Sequence, residues 1–232
     1  MFYEQALMRI PVLLALSSLA FVSMITSSWA DGAAIARHGN KHGSPMCTAC
    51  HGEQGEGIPA KGFPKLAGLN AGYLQSQLDA FASGERVNEV MTPIAQILEN
   101  EERAALASYY SGLSGLSIKT APSGTRINSN GELLATKGRW LQGLPACMQC
   151  HGSQGVGVGT VFPALVGQSS VYLENQLRAW QEGARPPGPL GLMKVVASKL
   201  SVADIQAVAE YFSALTEPDP STAHTPSAGS RP

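Results

Sequence analysis

Little in this chain points to a common class. Charged residues make up 14% of it and nearly cancel, to a formal net of -1, so no basic field exists to hold a nucleic-acid backbone. Aromatics are 6%, and the core that the chain can build alone is modest, so something besides side chains is expected to fill it. Beyond the N-terminus no apolar run reaches the roughly 20 residues of a spanning helix, which predicts a mature chain without a membrane span and with at most peripheral membrane contact. Strand-like alternation is missing around the cysteines, of which there are only four. Glycine (25) and proline (15) are plentiful and predict loops around short helices.

The N-terminus reads as a secretory signal. Arg9 supplies a positive start, weakened by Glu4, and residues 10–25 are almost uninterrupted apolar sequence. Ser28-Trp29-Ala30 then sets small residues at the cleavage positions, predicting processing after Ala30 and delivery to the periplasm. A retained anchor is the alternative, disfavoured because Ser17 and Ser18 interrupt a run already short for spanning.

The four cysteines lie in two motifs, Cys47-Thr48-Ala49-Cys50-His51 and Cys147-Met148-Gln149-Cys150-His151. C-x-x-C-H is the attachment signature of haem c. Two thiols one helical turn apart reach the two vinyl groups of one porphyrin, and the next residue aims its imidazole at the iron. Structural zinc pairs C-x-x-C units about 15–20 residues apart; here the separation is 100 (147 minus 47). A redox dithiol belongs in a βαβ pattern, and a bridge within C-x-x-C is strained and leaves both histidines unexplained. Two covalently bound haem c groups are therefore expected.

The halves repeat one another well beyond these motifs. Phe63-Pro64-Lys65-Leu66-Ala67-Gly68 matches Phe162-Pro163-Ala164-Leu165-Val166-Gly167. Tyr73, Gln77 and Leu78 match Tyr172, Gln176 and Leu177, Phe81 and Arg86 match Trp180 and Arg185, and Met91 matches Met193 after a three-residue insertion. Matched order over this length means two copies of one domain. Leu74, Leu78 and Phe81 share one helix face, as do Ile205, Val208, Phe212 and Leu215. Ser201 with Asp204 forms a capping box, and Asn100 is the expected N-cap of the matching helix. The expected layout is a signal at 1–30, domains at 31–115 and 131–217, a linker at 116–130 and a disordered tail at 218–232.

The second axial ligand follows by elimination. Met46 and Met148 adjoin the haem-bound cysteines and cannot reach the opposite face. Met91 and Met193 remain, 44 and 46 residues after their first cysteines (91 minus 47; 193 minus 147). Core gap-filling is the ordinary role of methionine, but matched placement in both copies favours ligation to iron, opposite His51 and His151. His38, His42 and His224 have no counterparts and read as surface residues. His/Met ligation fills both axial positions, which favours electron transfer over catalysis. A carbonyl near each proximal imidazole would accept its Nδ1 proton; Pro64 and Pro163 are placed for this or for shaping a loop. Arg86 and Arg185 suit haem propionates, or stand as solvated cations at a helix end. Tyr73 and Tyr172 read as packing residues.

With these motifs the sequence resembles the dihaem cytochrome c4 family, over residues 44–216. The resemblance rests on both C-x-x-C-H-G motifs, both Phe-Pro-x-Leu-x-Gly segments, the Tyr-Leu-x-x-Gln-Leu helices, Met91 with Met193, and Gly143-Leu144-Pro145-Ala146 before Cys147. It implies an all-α fold of two tandem class I cytochrome c domains about a pseudo-twofold axis, with haem edges facing across the interface. It also implies that the Pro64 and Pro163 carbonyls bond His51 and His151, and that the chain carries electrons between redox partner proteins toward a terminal oxidase. The Pro- and Gly-rich segment between Gly183 and Met193 departs from the pattern, as does the tail. The rival roles are a subunit of a periplasmic dehydrogenase, such as a sulfide-oxidising flavocytochrome, and a dihaem enzyme with an open, His- or Cys-ligated haem.

Overall fold

In the computed structural model, which describes residues 31–114 and 129–215, the chain is helical and has no strand among those residues, only isolated bridges such as Ile58 to Phe63. The expected signal, most of the linker and the tail lie outside the described residues. The first half holds α1 (Gly32–His38), α2 (Thr48–His51), α3 (Ala71–Ser83), α4 (Met91–Gln96) and α5 (Asn100–Gly112). The second repeats them as α6 (Ser129–Thr136), α7 (Cys147–His151), α8 (Ser170–Gln181), α9 (Leu192–Ser198) and α10 (Val202–Ala214). The first helix of the second half thus begins inside the segment expected as linker.

Short polar residues start the helices by satisfying free amides. Asn70 accepts from the Tyr73 amide at 3.3 Å and Ser169 from the Tyr172 amide at 3.3 Å. The expected box of Ser201 and Asp204 starts α10. In α5 the cap is Glu99 and not Asn100: its side chain accepts from the amide of Glu102, whose carboxylate accepts from the Glu99 amide at 2.9 Å. Two reciprocal bonds outweigh the propensity of one asparagine, so the helix starts one residue earlier.

Each half closes on its own core. Leu74, Leu98, Leu106 and Tyr110 are buried in one, and Leu173, Leu200, Val208 and Phe212 in the other. The opening helix of each half crosses the last one so closely that a Cβ at Gly32 would overlap the Ala105 carbonyl, and one at Gly131 the Ala207 carbonyl. Only glycine fits such a crossing.

The halves meet where α8 packs on the turn at Pro59–Lys61 and through side chains of α3, α8 and the residues just after them, and these side-chain contacts run both ways. Arg86 reaches Tyr172 and Gln176, while Arg185 reaches Tyr73 and Gln77. This reciprocity is that of a pseudo-twofold axis. Gln168 breaks it: 4% exposed, it accepts from the Lys65 amide at 2.9 Å and donates to the Lys65 carbonyl at 3.0 Å.

Candidate functional site

Each C-x-x-C-H motif is one short helix, α2 with its N-cap Cys47, or α7. Cysteines three apart on a helix share a face. All four thiols are free and half-buried. Burial pushes the Cys47 thiol up and Cys147 to about 11. Among the described residues no group of three or more His, Cys, Asp or Glu is gathered to hold a bare metal ion.

The histidines end their helices, and Gly52 (φ 83°) and Gly152 (φ 80°) turn the chain away at once. His51 is 7% exposed and His151 6%. The His51 Nδ1 lies 2.9 Å from the Pro64 carbonyl oxygen and the His151 Nδ1 2.8 Å from that of Pro163. A carbonyl only accepts, so Nδ1 carries the proton and Nε2 keeps its lone pair. Burial pushes both imidazoles down, against the pull of the carbonyl bond, and keeps them neutral. A neutral ring with one nitrogen held and the other bare is the form that binds iron. The loop backbone is fixed as well, because the Gly57 and Gly157 amides donate to the His51 and His151 carbonyls at 2.7 Å.

Met91 opens α4 and Met193 lies in the first turn of α9. Both are half-buried, and neither packs into the apolar cores. Met148 does pack against the second core, and Met46 is exposed. The insertion before Met193 forms a single turn at Pro189–Gly191, and Trp180 Nε1 ties the preceding segment down by donating to the Pro186 carbonyl at 2.9 Å. Two thiols on one helix face, a neutral imidazole and a thioether outside the core are the donor types that could hold a haem c, and they occur twice.

Arg86 (7% exposed) and Arg185 (8%) are not solvated cations. Arg86 lies 4.4 Å over the Phe81 ring and Arg185 4.0 Å over Trp180. Arg86 Nη1 donates to Gln77 Oε1 at 2.8 Å, while its Nη2 donates to Gln176 Oε1 and, at 3.3 Å, to the Tyr172 hydroxyl. Arg185 mirrors it, to Gln176 at 3.0 Å, Gln77 at 3.0 Å and Tyr73 at 3.3 Å. Tyr73 and Tyr172 are thus hydrogen-bond partners as well as packing residues. His38 and His42 are exposed, with His42 Nε2 2.8 Å from Glu99 Oε1; His224 lies outside the described residues.

Sequence reasoning missed the interface roles of Gln77 and Gln176, although their matched positions were a signal. It also missed Gln168, which stands where the first copy has Leu69; a polar residue opposite an apolar one was the clue. The network of Arg139, Asn130 and Asp204 had no such clue. Two clefts of about 300 Å³, one lined by Gly68, Asn70 and Val156, the other by His42 and Glu99, contain none of the expected ligands.

The Cytochrome c family matches residues 36–114. A "Thiosulfate dehydrogenase electron acceptor" of Thiomonas intermedia is 50% identical over 169 residues, 72% of this chain and 77% of that protein. A "Cytochrome c4" of Pseudomonas aeruginosa is 37% identical over 172 residues, 73% and 84% of the two chains. Among solved structures, reduced cytochrome c4 from Pseudomonas stutzeri superposes with a TM-score of 0.66 at 35% identity, covering 73% of this chain and 93% of its own. A thiosulfate dehydrogenase from Marichromatium purpuratum gives 0.73 at 40% identity over 79% of this chain, but this chain spans only 39% of that one.

Proposed function

The chain belongs to the cytochrome c4 family of dihaem cytochromes c, and from that premise we propose that it takes electrons from a thiosulfate-oxidising dehydrogenase in the periplasm and passes them toward a terminal oxidase. Membership brings two covalently bound haem c groups and the work of an electron carrier. The finer reading concerns which residues hold the haems and which proteins exchange electrons with them.

Cys47 and Cys50 would hold the first haem and Cys147 and Cys150 the second, with His51 and Met91, and His151 and Met193, as the residues that would bind the two irons. The haem supplies a one-electron ferric/ferrous couple. The bond from each Nδ1 to Pro64 or Pro163 fixes ring orientation and strengthens Nε2 as a donor. A soft thioether as the second donor, from Met91 or Met193, would favour the ferrous state and leave no place for peroxide or oxygen. Arg86 and Arg185 are buried at the interface, and neither forms an ion pair with a carboxylate among the described residues. Haem propionates from the two halves are the anions such a pair of guanidiniums suits.

The observation that carries this reading is the duplicated, buried, neutral imidazole with its Nε2 left bare. The choice of thiosulfate chemistry over a sulfide-oxidising flavocytochrome rests on the names borne by relatives at 50% and 42% identity. The periplasm is read from the pattern of residues 1–30. Haem-loaded protein is mixed under anaerobic conditions with a purified thiosulfate dehydrogenase and thiosulfate, and the visible spectrum is followed. Rapid reduction of both haems is expected; reduction by a flavocytochrome and sulfide but not by thiosulfate would contradict the assignment. A complex that dissociates on gel filtration fits a shuttle, since redox encounters commonly bury less than about 1,200 Å².

A further inference from the structure

The two halves differ at one buried atom. Tyr110 on α5 and Phe212 on α10 hold the same place. Their carbonyls accept from the Gly68 and Gly167 amides at 3.0 and 2.9 Å, and their rings lie against Gly55 and Gly155 in the loops that follow the two motifs. Both are buried, at 3% and 2% exposure. Phe212 shows that the ring alone satisfies packing there. The Tyr110 hydroxyl is enclosed with no well-formed hydrogen bond to any protein group. Cys47, packed against the same cluster, is a polar neighbour beside it. In the second half the corresponding Cys147 sulfur instead lies 3.6 Å from the Leu134 carbonyl oxygen.

We propose that the Tyr110 hydroxyl donates to the Cys47 sulfur and thereby raises the reduction potential of the first haem. This rests on the reading that Cys47 carries the first haem as a thioether, which leaves the sulfur as an acceptor only. The hydroxyl then turns the positive end of its dipole toward the sulfur that would carry the porphyrin, which would stabilise the form holding the extra electron. Beside Cys147 the carbonyl turns its negative end to the sulfur, which acts in the opposite sense. Both dipoles lie in a buried, weakly screened setting, where hydrogen bonds tune a bound metal most strongly. Tyr110 touches no reacting atom; it is a positioning residue that acts through Cys47, and its effect is to favour the reduced form of the first haem.

The test is a mediated redox titration of haem-loaded protein in a Met193→His background, which lowers the second haem's potential and leaves the remaining high wave to the first. If that substitution moves neither wave, the axial-ligand reading fails. If it moves one, Tyr110→Phe is expected to change the reduced-to-oxidised ratio of the first haem roughly threefold at fixed potential, a fall of ~30 mV by the 59 mV per tenfold of a one-electron couple. Phe212→Tyr in a Met91→His background should move the second haem upward. A first-haem wave that stays put or rises in Tyr110→Phe would overturn the proposal, as would equal shifts of both haems in an otherwise unmodified chain.

Discussion

Replacing Arg86 and Arg185 by methionine, singly and together, should show that the interface is one cooperative hydrogen-bonded unit. In Arg86→Met the protein loses three bonds, to Gln77, Tyr172 and Gln176, and the stacking on Phe81. Neither glutamine carbonyl is abandoned, because Arg185 still donates to Gln77 and Gln176 at 3.0 Å. Bonds to a charged donor contribute about 1.5–3 kcal/mol each, but dehydrating a guanidinium offsets much of that, so a single variant should cost about 2 kcal/mol. Arg185→Met should cost the same by symmetry. The double variant strips the last donor from both Gln77 Oε1 and Gln176 Oε1. Both glutamines are half-buried, so each orphaned acceptor costs about 1–2 kcal/mol, the low end of the penalty for a buried group, and the pair should lose ~2–4 kcal/mol beyond the sum of the singles. Urea unfolding of the haem-loaded protein, followed by circular dichroism, measures each corner of the cycle. The double variant should also unfold in two steps, as its halves come apart independently. Additivity within ~0.5 kcal/mol would refute the shared network.

Gly32→Ala should destabilise the protein by about 1–3 kcal/mol, because its Cβ meets the Ala105 backbone at the crossing of α1 and α5; in the Arg86→Met, Arg185→Met background calorimetry should show the loss in one of the two transitions only. Acid should act through Asp204. The Arg139 guanidinium, despite the opposing effect of burial, holds this carboxyl well below the usual range, helped by Asn130 and Ser201. A depressed carboxylate gives stability that is present above the unfolded value of about 4 and lost as pH falls toward the folded one. Urea midpoints should therefore drop below about pH 4, and Arg139→Met should flatten that dependence while lowering stability at pH 7 by roughly 3 kcal/mol. Unchanged pH dependence in the variant would assign the acid response to other carboxylates.

The motif helices, the repeat and the helix faces were legible in the sequence because they are local: C-x-x-C-H is contiguous, and Leu74, Leu78 and Phe81 reveal their face by spacing alone. The capping box of Ser201 and Asp204 was legible for the same reason. Glu99 was passed over because glutamate ranks below asparagine as a cap, and only the reciprocal bond with Glu102 reverses the order. Arg86 and Arg185 were legible as special residues but not as cross-interface donors, since one sequence does not say which surface of one copy meets the other. Arg139, nine residues from Asn130 and 65 from Asp204, joins its partners through the tertiary fold and leaves no periodic trace. The contrast of Tyr110 with Phe212 is visible in the repeat, but its meaning depends on the burial of a single oxygen.

The most direct test of paired imidazole and thioether ligation is a spectroelectrochemical titration of haem-loaded protein beside its Met91→Ala and Met193→Ala variants. Two one-electron steps with low-spin ferric spectra are expected. Each substitution should abolish one Met-to-iron absorption signature and lower one potential while leaving the other step in place. A single step in the unmodified protein, a high-spin ferric haem with an open position, or variants that both keep the original potentials would contradict it.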